Sequence, residues 1–574
     1  LYHVLLDFYR ITLIQKVREM STEASMPEES NGVLSKDNIK TTLTTEAPPA
    51  STSVVALAAA AAAAPTPAAT STNNKKAFKS ESNGNGSNSD DEAKNESKTH
   101  GLVDPWYQFN EPEPEKIEGD LQYTPSYFLR THSKNNNPAD VQTQIWQCCF
   151  APPSALGDTI TRDVVATCGG SSVCFIDVTT GDVLLKYNRS TKALASENLY
   201  ALAWTTLEVT NDEESVEEEQ DDESDPIDAP GRSKAESKRS DNKQERTSVV
   251  AAGGGKSTVV LVDVEAGFCY HMFRTVTTKA SSIICSLLFH PKKHSWLFCG
   301  HEDGHIEVWD VGLVSRPNYN KTNCVPLTTL PAVSGDAYNL QYCHKHDLLL
   351  AGCDSALLFY QLDMQKIIDG ERLEVTKVDL PIPGYTGNGS SVVDSITMVR
   401  DTVLAAKCAL HARIYVADVE HFLHKRKPAV KQKNVDFYLK AEFEDVVSLE
   451  WSDTDNYYMN MGADPSSCVL VCGDDKGTLW LYDLYNLITG KVPSPLTGGP
   501  EIPDPIPPCT KLLWPDLDDP EVEKAGKLRL DSYDIVVDKC CIDEGADHVV
   551  AVTSNNMVCI WTRAEHSEST DDSQ

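Results

Sequence analysis

Leu297-Phe298-Cys299-Gly300-His301-Glu302-Asp303-Gly304-His305-Ile306-Glu307-Val308-Trp309-Asp310 reads as one complete β-hairpin. Two alternating apolar runs flank Glu302-Asp303-Gly304. The Asp-Gly pair supplies the positive-φ residue that a tight turn needs, and each run presents alternate side chains to opposite faces of a sheet. The second run closes on Trp309-Asp310, the strand-end pair of a propeller blade.

The unit recurs on both sides. Val164–Gly170 with Val173–Asp177, Val249–Gly253, Leu348–Asp354, Val403–Lys407, Val469–Asp483 and Val549–Trp561 repeat it, which with the first hairpin makes seven. Their spacing, about 40–45 residues where no insertion intervenes, is that of propeller blades. Each unit also has an apolar strand before it, such as Ile145–Phe150 or Leu199–Trp204. The strand-end pair drifts to Ile176-Asp177, Val262-Asp263, Ala417-Asp418 and Tyr482-Asp483, so the repeat is degenerate. These residues predict an all-β chain: a seven-bladed WD40-type β-propeller over residues 120–563. An unclosed ring leaves exposed edges, and Tyr127–His132 is the strand expected to join the last blade and lock the two ends together.

The flanks are different. Residues 1–119 form a long N-terminal arm in which positions from about 20 onward are rich in Ser, Asn, Glu, Lys, Ala and Pro, too poor in apolar groups to offset the entropy of ordering. The Ala58–Ala64 run ends in Pro65-Thr66-Pro67 and has no amphipathic face, so it reads as tether. Leu1–Ile14 is apolar but carries Asp7 and Arg10 without a basic start, unlike a signal peptide, and Met20 and Met26 are alternative starts. Residues 1–19 are therefore left out of the functional reading. Residues 564–574 form a short acidic tail expected to be disordered.

The formal charge is −34, and a dense part of it falls at residues 211–225, inside an insert at about 209–247. Such a run stays solvated as a loop, or its Glu213, Glu214, Glu217, Glu218, Glu219, Asp221 and Asp222 form a docking strip for a basic partner. An acidic chain does not hold duplex DNA through its overall field, so any DNA contact is expected to be indirect. The 17 cysteines contain no Cys-x-x-Cys and read as small apolar core residues of a reducing compartment.

Catalytic signatures are not found. Gly253-Gly254-Gly255-Lys256-Ser257-Thr258 resembles a phosphate loop, but Val250 stands where the motif needs Gly and a strand follows instead of a helix. His301, Asp303 and His305 belong to the hairpin and lack a fourth metal ligand in the sequence. No serine elbow, Cys–His pair or carboxylate pair stands out. The expectation is a protein-binding platform with no enzyme activity, no metal, no cofactor, no small-molecule substrate and no membrane contact. One basic run, His424–Lys433, places Lys425, Arg426, Lys427, Lys431 and Lys433 between the fifth and sixth blades, as an import signal, a nucleic-acid patch or a solvated loop.

Phe128–Asn136, Gln142–Trp146, Val165–Gly170, Gly181–Tyr187, Ala203-Trp204-Thr205, Ala266–Cys269, Leu470–Asp483 and Lys511–Pro515 together are similar to the propeller of the leucine-rich-repeat and WD-repeat family associated with the origin recognition complex. The resemblance implies a nuclear, chromatin-associated adaptor that binds origin recognition complex subunits and histone tails or nucleosomes, with roles in replication initiation and heterochromatin. Residues 1–120 contain no leucine-rich repeat of the L-x-x-L-x-L form. More distantly, the blades resemble the Polycomb propeller that reads trimethyl-lysine through an aromatic cage, and Trp146 and Tyr200 match two of its rings. Val447 and Ser448 fall at the sixth-blade position, and Tyr338, Trp451 or Trp514 could complete the set. Trp146, Tyr200 and Tyr338 are the candidate cage. The alternative reading is a generic propeller scaffold, or a ubiquitin-ligase substrate receptor, acting on cytosolic partners.

Overall fold

A computed structural model describes residues 102–564 except 138, 158–159, 190–196, 212–244, 277–281, 317, 331–334, 355, 381–390, 429–437, 455, 501, 503–504 and 514–534. Seven sheets, each built on four antiparallel strands, follow one another along the chain, and two of them add a further strand in parallel, Val314–Arg316 beside Leu199–Asn211 and Tyr438–Ala441 beside Val375–Val378. Blade one comprises Ile145–Phe150, Val164–Gly169, Ser172–Asp177 and Val183–Asn188; blade two Leu199–Asn211, Arg246–Gly254, Thr258–Asp263 and Phe268–Arg274. Blade three comprises Ile284–Phe289, Trp296–His301, Ile306–Asp310 and Val325–Leu330; blade four Ala337–Cys343, Leu348–Cys353, Ala356–Gln361 and Val375–Val378. Blade five comprises Val393–Met398, Val403–Cys408, Arg413–Asp418 and Val447–Glu450; blade six Gly462–Asp464, Val469–Gly473, Leu479–Asp483 and Thr510–Leu512. Blade seven has Val537–Ile542, His548–Thr553 and Val558–Arg563, and its outer strand is Tyr123–Leu129 from the start of the propeller. That pairing is the ring closure that the sequence predicts.

The second and third strands of each blade are buried on both sides because neighbouring blades cover both faces. The apolar core is accordingly split into layers between adjacent blades, such as Phe298 and Ile306 of blade three against Leu340 and Leu349 of blade four. Ile145 and Val165 of blade one meet Val550 and Ile560 of blade seven in the layer that completes the circle. Adjacent sheets come so close that Gly462 must lack a side chain: a Cβ there would lie 2.6 Å from the Cys540 carbonyl oxygen and 2.7 Å from the Cys541 Cα.

Three boundaries differ from the sequence reading. Residues 102–119, assigned to the arm, are packed on the propeller, because Trp106, Tyr107 and Phe109 find the imidazoles of His294 and His344 on its hairpins. The basic run begins inside blade five, after its third strand, in a short helix Val419–Lys425. Val447 and Ser448 belong to the outer strand of blade five, not to blade six. The acidic strip from Glu213 to Asp222, the arm before residue 102, the tail after residue 564, Lys431, Lys433 and Trp514 lie outside the described residues.

Candidate functional site

Each innermost strand enters the sheet at one face and leaves through a hairpin at the other, so the propeller has two mouths of different chemistry. At the entry end the register slips by one residue in six blades, at Trp146, Tyr200, Cys285, Tyr338, Asp394 and Asp538. A bulge leaves its residue unpaired and re-aims the side chain. The three candidate cage residues thus occupy equivalent positions around one opening.

They do not form a single cage. The rings of Trp146 and Tyr200 meet edge to face at 5.0 Å and 75°. Both are half-buried, and Gly255 makes room beneath, since a Cβ there would stand 3.2 Å from the Tyr200 ring. Tyr338 pairs instead with Tyr458, at 5.1 Å and 86°, and its hydroxyl donates to Asp354 Oδ1 at 2.8 Å. Burial first, then Tyr458, Asp336 and Asp354, raise the Tyr338 phenol well above its ordinary value.

Tyr458 was not legible as a site residue. It precedes the short inner strand of blade six in an irregular stretch and has φ of +67°, a left-handed conformation costly for a non-glycine residue. Its backbone N–H donates to Asp394 Oδ2 at 3.0 Å, and Met461 N–H donates to Ser395 Oγ at 2.9 Å, so blade five grips the chain on both sides of the turn. Asp394 in turn holds Lys407 Nζ at 2.5 Å with both side chains fully buried, and that ammonium lies 4.6 Å from the Trp451 ring centroid. Trp451 is therefore core, with its Nε1 donating to the Gly473 carbonyl.

Leu102–Leu121 runs along the hairpins that rim the opposite mouth. Asp104 accepts from Lys293 and from the His294 backbone, Trp106 Nε1 donates to His294 Nδ1, Tyr107 and Phe109 stack on His344, Glu111 pairs with Arg400 at 3.0 Å, and Glu115 N–H reaches the Ser466 carbonyl. These contacts visit the first hairpins of blades three, four, five and six in order, and Tyr123 continues to blade seven by donating to the Ala546 carbonyl. A cavity of about 430 Å³ lies beside the strap, lined among others by Phe109, Phe289, Tyr342, Met398 and Arg400.

The remaining sequence candidates resolve into structure. Lys425 pairs with Glu444 and Asp445, Arg426 with Glu374, and Lys427 with Glu442, so the described part of the basic run is neutralised by its own surroundings. His301 is buried in its hairpin, and burial pushes its imidazole down to about 4. The glycine-rich Gly253–Thr258 stretch is the hairpin between two strands of blade two. All 17 thiols are unbridged, and those with resolved shifts, Cys149 at about 12 among them, are pushed up by burial, the reverse of a nucleophilic thiolate. Among the described residues Asp163, Asp543 and His548 come close enough together to hold an ion, but His548 Nδ1 is 2.8 Å from Asp543 Oδ2, a bond that ties the first hairpin of blade seven. No described helix is long and apolar enough to cross a membrane.

Comparison with known proteins agrees with this architecture. The family model described as leucine-rich repeat and WD repeat-containing protein 1, WD domain, matches residues 117–217 and 236–564. Proteins named leucine-rich repeat and WD repeat-containing protein 1 are similar to the chain. That of Xenopus tropicalis is 28% identical over 449 residues, 76% of this chain and 55% of the relative. The Danio rerio protein is 28% identical over 458 residues, covering 78% and 51%, and the Homo sapiens protein 28% over 453, covering 77% and 58%. The chain spans about half the length of these relatives. With seven blades, a ring closed by its first strand and a family match across nearly all of it, the chain belongs to the leucine-rich repeat and WD repeat-containing protein 1 family through its WD domain.

Proposed function

We infer that the propeller is a non-enzymatic chromatin adaptor of the nucleus: it binds origin recognition complex subunits, and its aromatic mouth takes a methylated lysine of a histone tail, linking replication initiation to heterochromatin. The observation that carries the reading is the Trp146–Tyr200 pair, two half-buried rings re-aimed by equivalent bulges into one opening. A quaternary ammonium is attracted to the faces of such rings and needs no hydrogen-bond acceptor.

Calorimetric titration of trimethyl-lysine and unmodified histone peptides against wild type and Trp146→Ala tests the reading, together with co-precipitation of origin complex subunits by residues 102–564. Trimethyl preference that Trp146→Ala abolishes supports it; equal binding by all pairs removes the reader role, and recovery of neither the complex nor nucleosomes removes the adaptor. The self-neutralised Lys425, Arg426 and Lys427 favour the second reading, a scaffold or ubiquitin-ligase substrate receptor for cytosolic partners, because ion-paired cations are poor recognition elements for import or nucleic acid. A protein that stays cytosolic with and without residues 424–433 supports that second reading.

A further inference from the structure

The strap is held as a bound peptide is held. Residues 102–121 belong to no described strand or helix, and the ring is complete without them: its closing strand starts at Tyr123 and the family match at residue 117. What seats the strap is a row of side-chain anchors in which acids alternate with rings. Asp104 accepts from Lys293 Nζ at 2.8 Å and from the His294 backbone N–H at 2.6 Å. Trp106 lies edge-on to His294, with the Arg246 guanidinium 5.6 Å from its ring centroid. Phe109 stacks on His344, and Glu111 pairs with Arg400 at 3.0 Å while accepting from the Asp401 N–H at 2.7 Å. In a chain with a formal charge of −34, this seat offers Lys293 and Arg400 to two carboxylates and Arg246 to a ring face.

The strap does not fill its seat. Phe109 remains 43% exposed although it is stacked. Beside it the cavity of about 430 Å³ has apolar walls from Leu288, Phe289, Tyr342, Met398 and Ala463. Binding sites for compact groups are of this kind, about 300–1,000 Å³ with mainly apolar walls. The strap brings Asn110 to the cavity, an exposed amide with no apolar surface to bury there. A segment with the same acids and rings but an apolar residue at that point fits the seat better than the strap does.

We propose that the first hairpins of blades three to six form a recognition face for an extended segment of a partner protein, acidic at both ends with aromatic residues between them and an apolar side chain for the cavity, and that the strap is the resident competitor for this face. The chemistry selected is the opposite of the basic tail assigned to the aromatic mouth, and it does not depend on that reading.

A labelled synthetic peptide of residues 102–117 tests it, with binding to the full chain followed by fluorescence anisotropy. Wild type is compared with Trp106→Ala/Phe109→Ala, whose strap has lost its rings, and with Asp104→Ala/Glu111→Ala, whose strap has lost its charges. In wild type the tethered strap competes at a high effective concentration. Binding about tenfold tighter to both variants is expected, and about tenfold tighter again for the Asn110→Leu peptide. The Asp104→Lys/Glu111→Lys peptide is expected not to bind. A native peptide that binds neither variant overturns the recognition face, and equal binding to wild type and both variants overturns the strap as its competitor. A charge-reversed peptide that binds as well as the native one overturns the acidic chemistry of the partner. An Asn110→Leu peptide that binds no tighter than the native one overturns the part assigned to the cavity.

Discussion

The phenyl ring of Phe109 lies parallel to the imidazole of His344, 3.9 Å between centroids and 6° from coplanar, with the Tyr107 hydroxyl 3.0 Å from the same ring's Nδ1. Burial pushes that imidazole down to about 4, so it meets both partners uncharged at neutral pH. Phe109→Ala removes the stack and exposes the floor of the strap. Local opening of residues 104–115 is expected to become easier by about 1–2 kcal/mol, with the blades themselves unchanged. Amide hydrogen exchange checks it: faster exchange confined to the strap is the expected pattern, and slow, unaltered exchange there contradicts it.

Acid weakens the fold in a defined window. Burial lowers His132 and His290 to about 3 and His301, His344 and His411 to about 4. Each stays neutral in the native state while the unfolded chain takes up a proton near 6.5, so the unfolded state binds more protons between about pH 6.5 and 4. Stability is complete above that window and falls as pH drops through it. His548 has the opposite sign: Asp543 raises it, so its contribution is present at low pH and lost as pH rises through its folded value. Burial lowers His271 as well, so six histidines against one make the histidine contribution fall on acidification. Burial raises Asp394 and Asp538, which act in the opposite sense, and a urea midpoint that does not fall between about pH 7 and 5 contradicts the prevalence of the histidines.

Lys407→Met leaves the Asp394 carboxylate buried without its counter-charge, and a loss of about 3–5 kcal/mol is expected. Adding Asp394→Leu removes the orphaned charge and recovers most of that loss. Denaturant unfolding of the two variants side by side decides the point; a double variant as unstable as the single one shows that packing, not charge, is what the pair supplies.

Gly462→Ala forces a methyl group against the backbone of blade seven at Cys540 and Cys541, where no side chain can move aside. About 1–3 kcal/mol of destabilisation is expected from overpacking, read as a lower Tm. Gly370→Ala is a control of a different kind: its site has open space around the added Cβ, so its cost comes only from the left-handed φ of +68° that caps a short helix.

Strand order and ring closure were legible because the signals that encode them are local. An Asp-Gly turn such as Asp303-Gly304 and a run such as Val469–Gly473 carry their conformation within a few residues, and the period of the repeat orders the blades. Tyr127 and its neighbours could be placed at the last blade because a propeller leaves one edge to fill. Trp146 and Tyr200 were brought together by resemblance to a methyl-lysine-reading propeller, and their rings do meet, whereas Tyr338, offered as the third ring, pairs with Tyr458 instead.

Tyr458, the strap and the neutralised basic run were hidden because each depends on a partner far away in the chain. Tyr458 faces Tyr338 and is gripped by Asp394, Phe109 rests on His344, and Arg426 is answered by Glu374, separations that no periodicity records. The amino-acid sequence by itself determined the blades, their number and their closure, since hydrogen-bonded hairpins and alternating burial are short-range properties. Only the tertiary structure decided which aromatic rings share an opening and which charges remain for a partner, since those follow from curvature and burial once all seven blades have closed on one another.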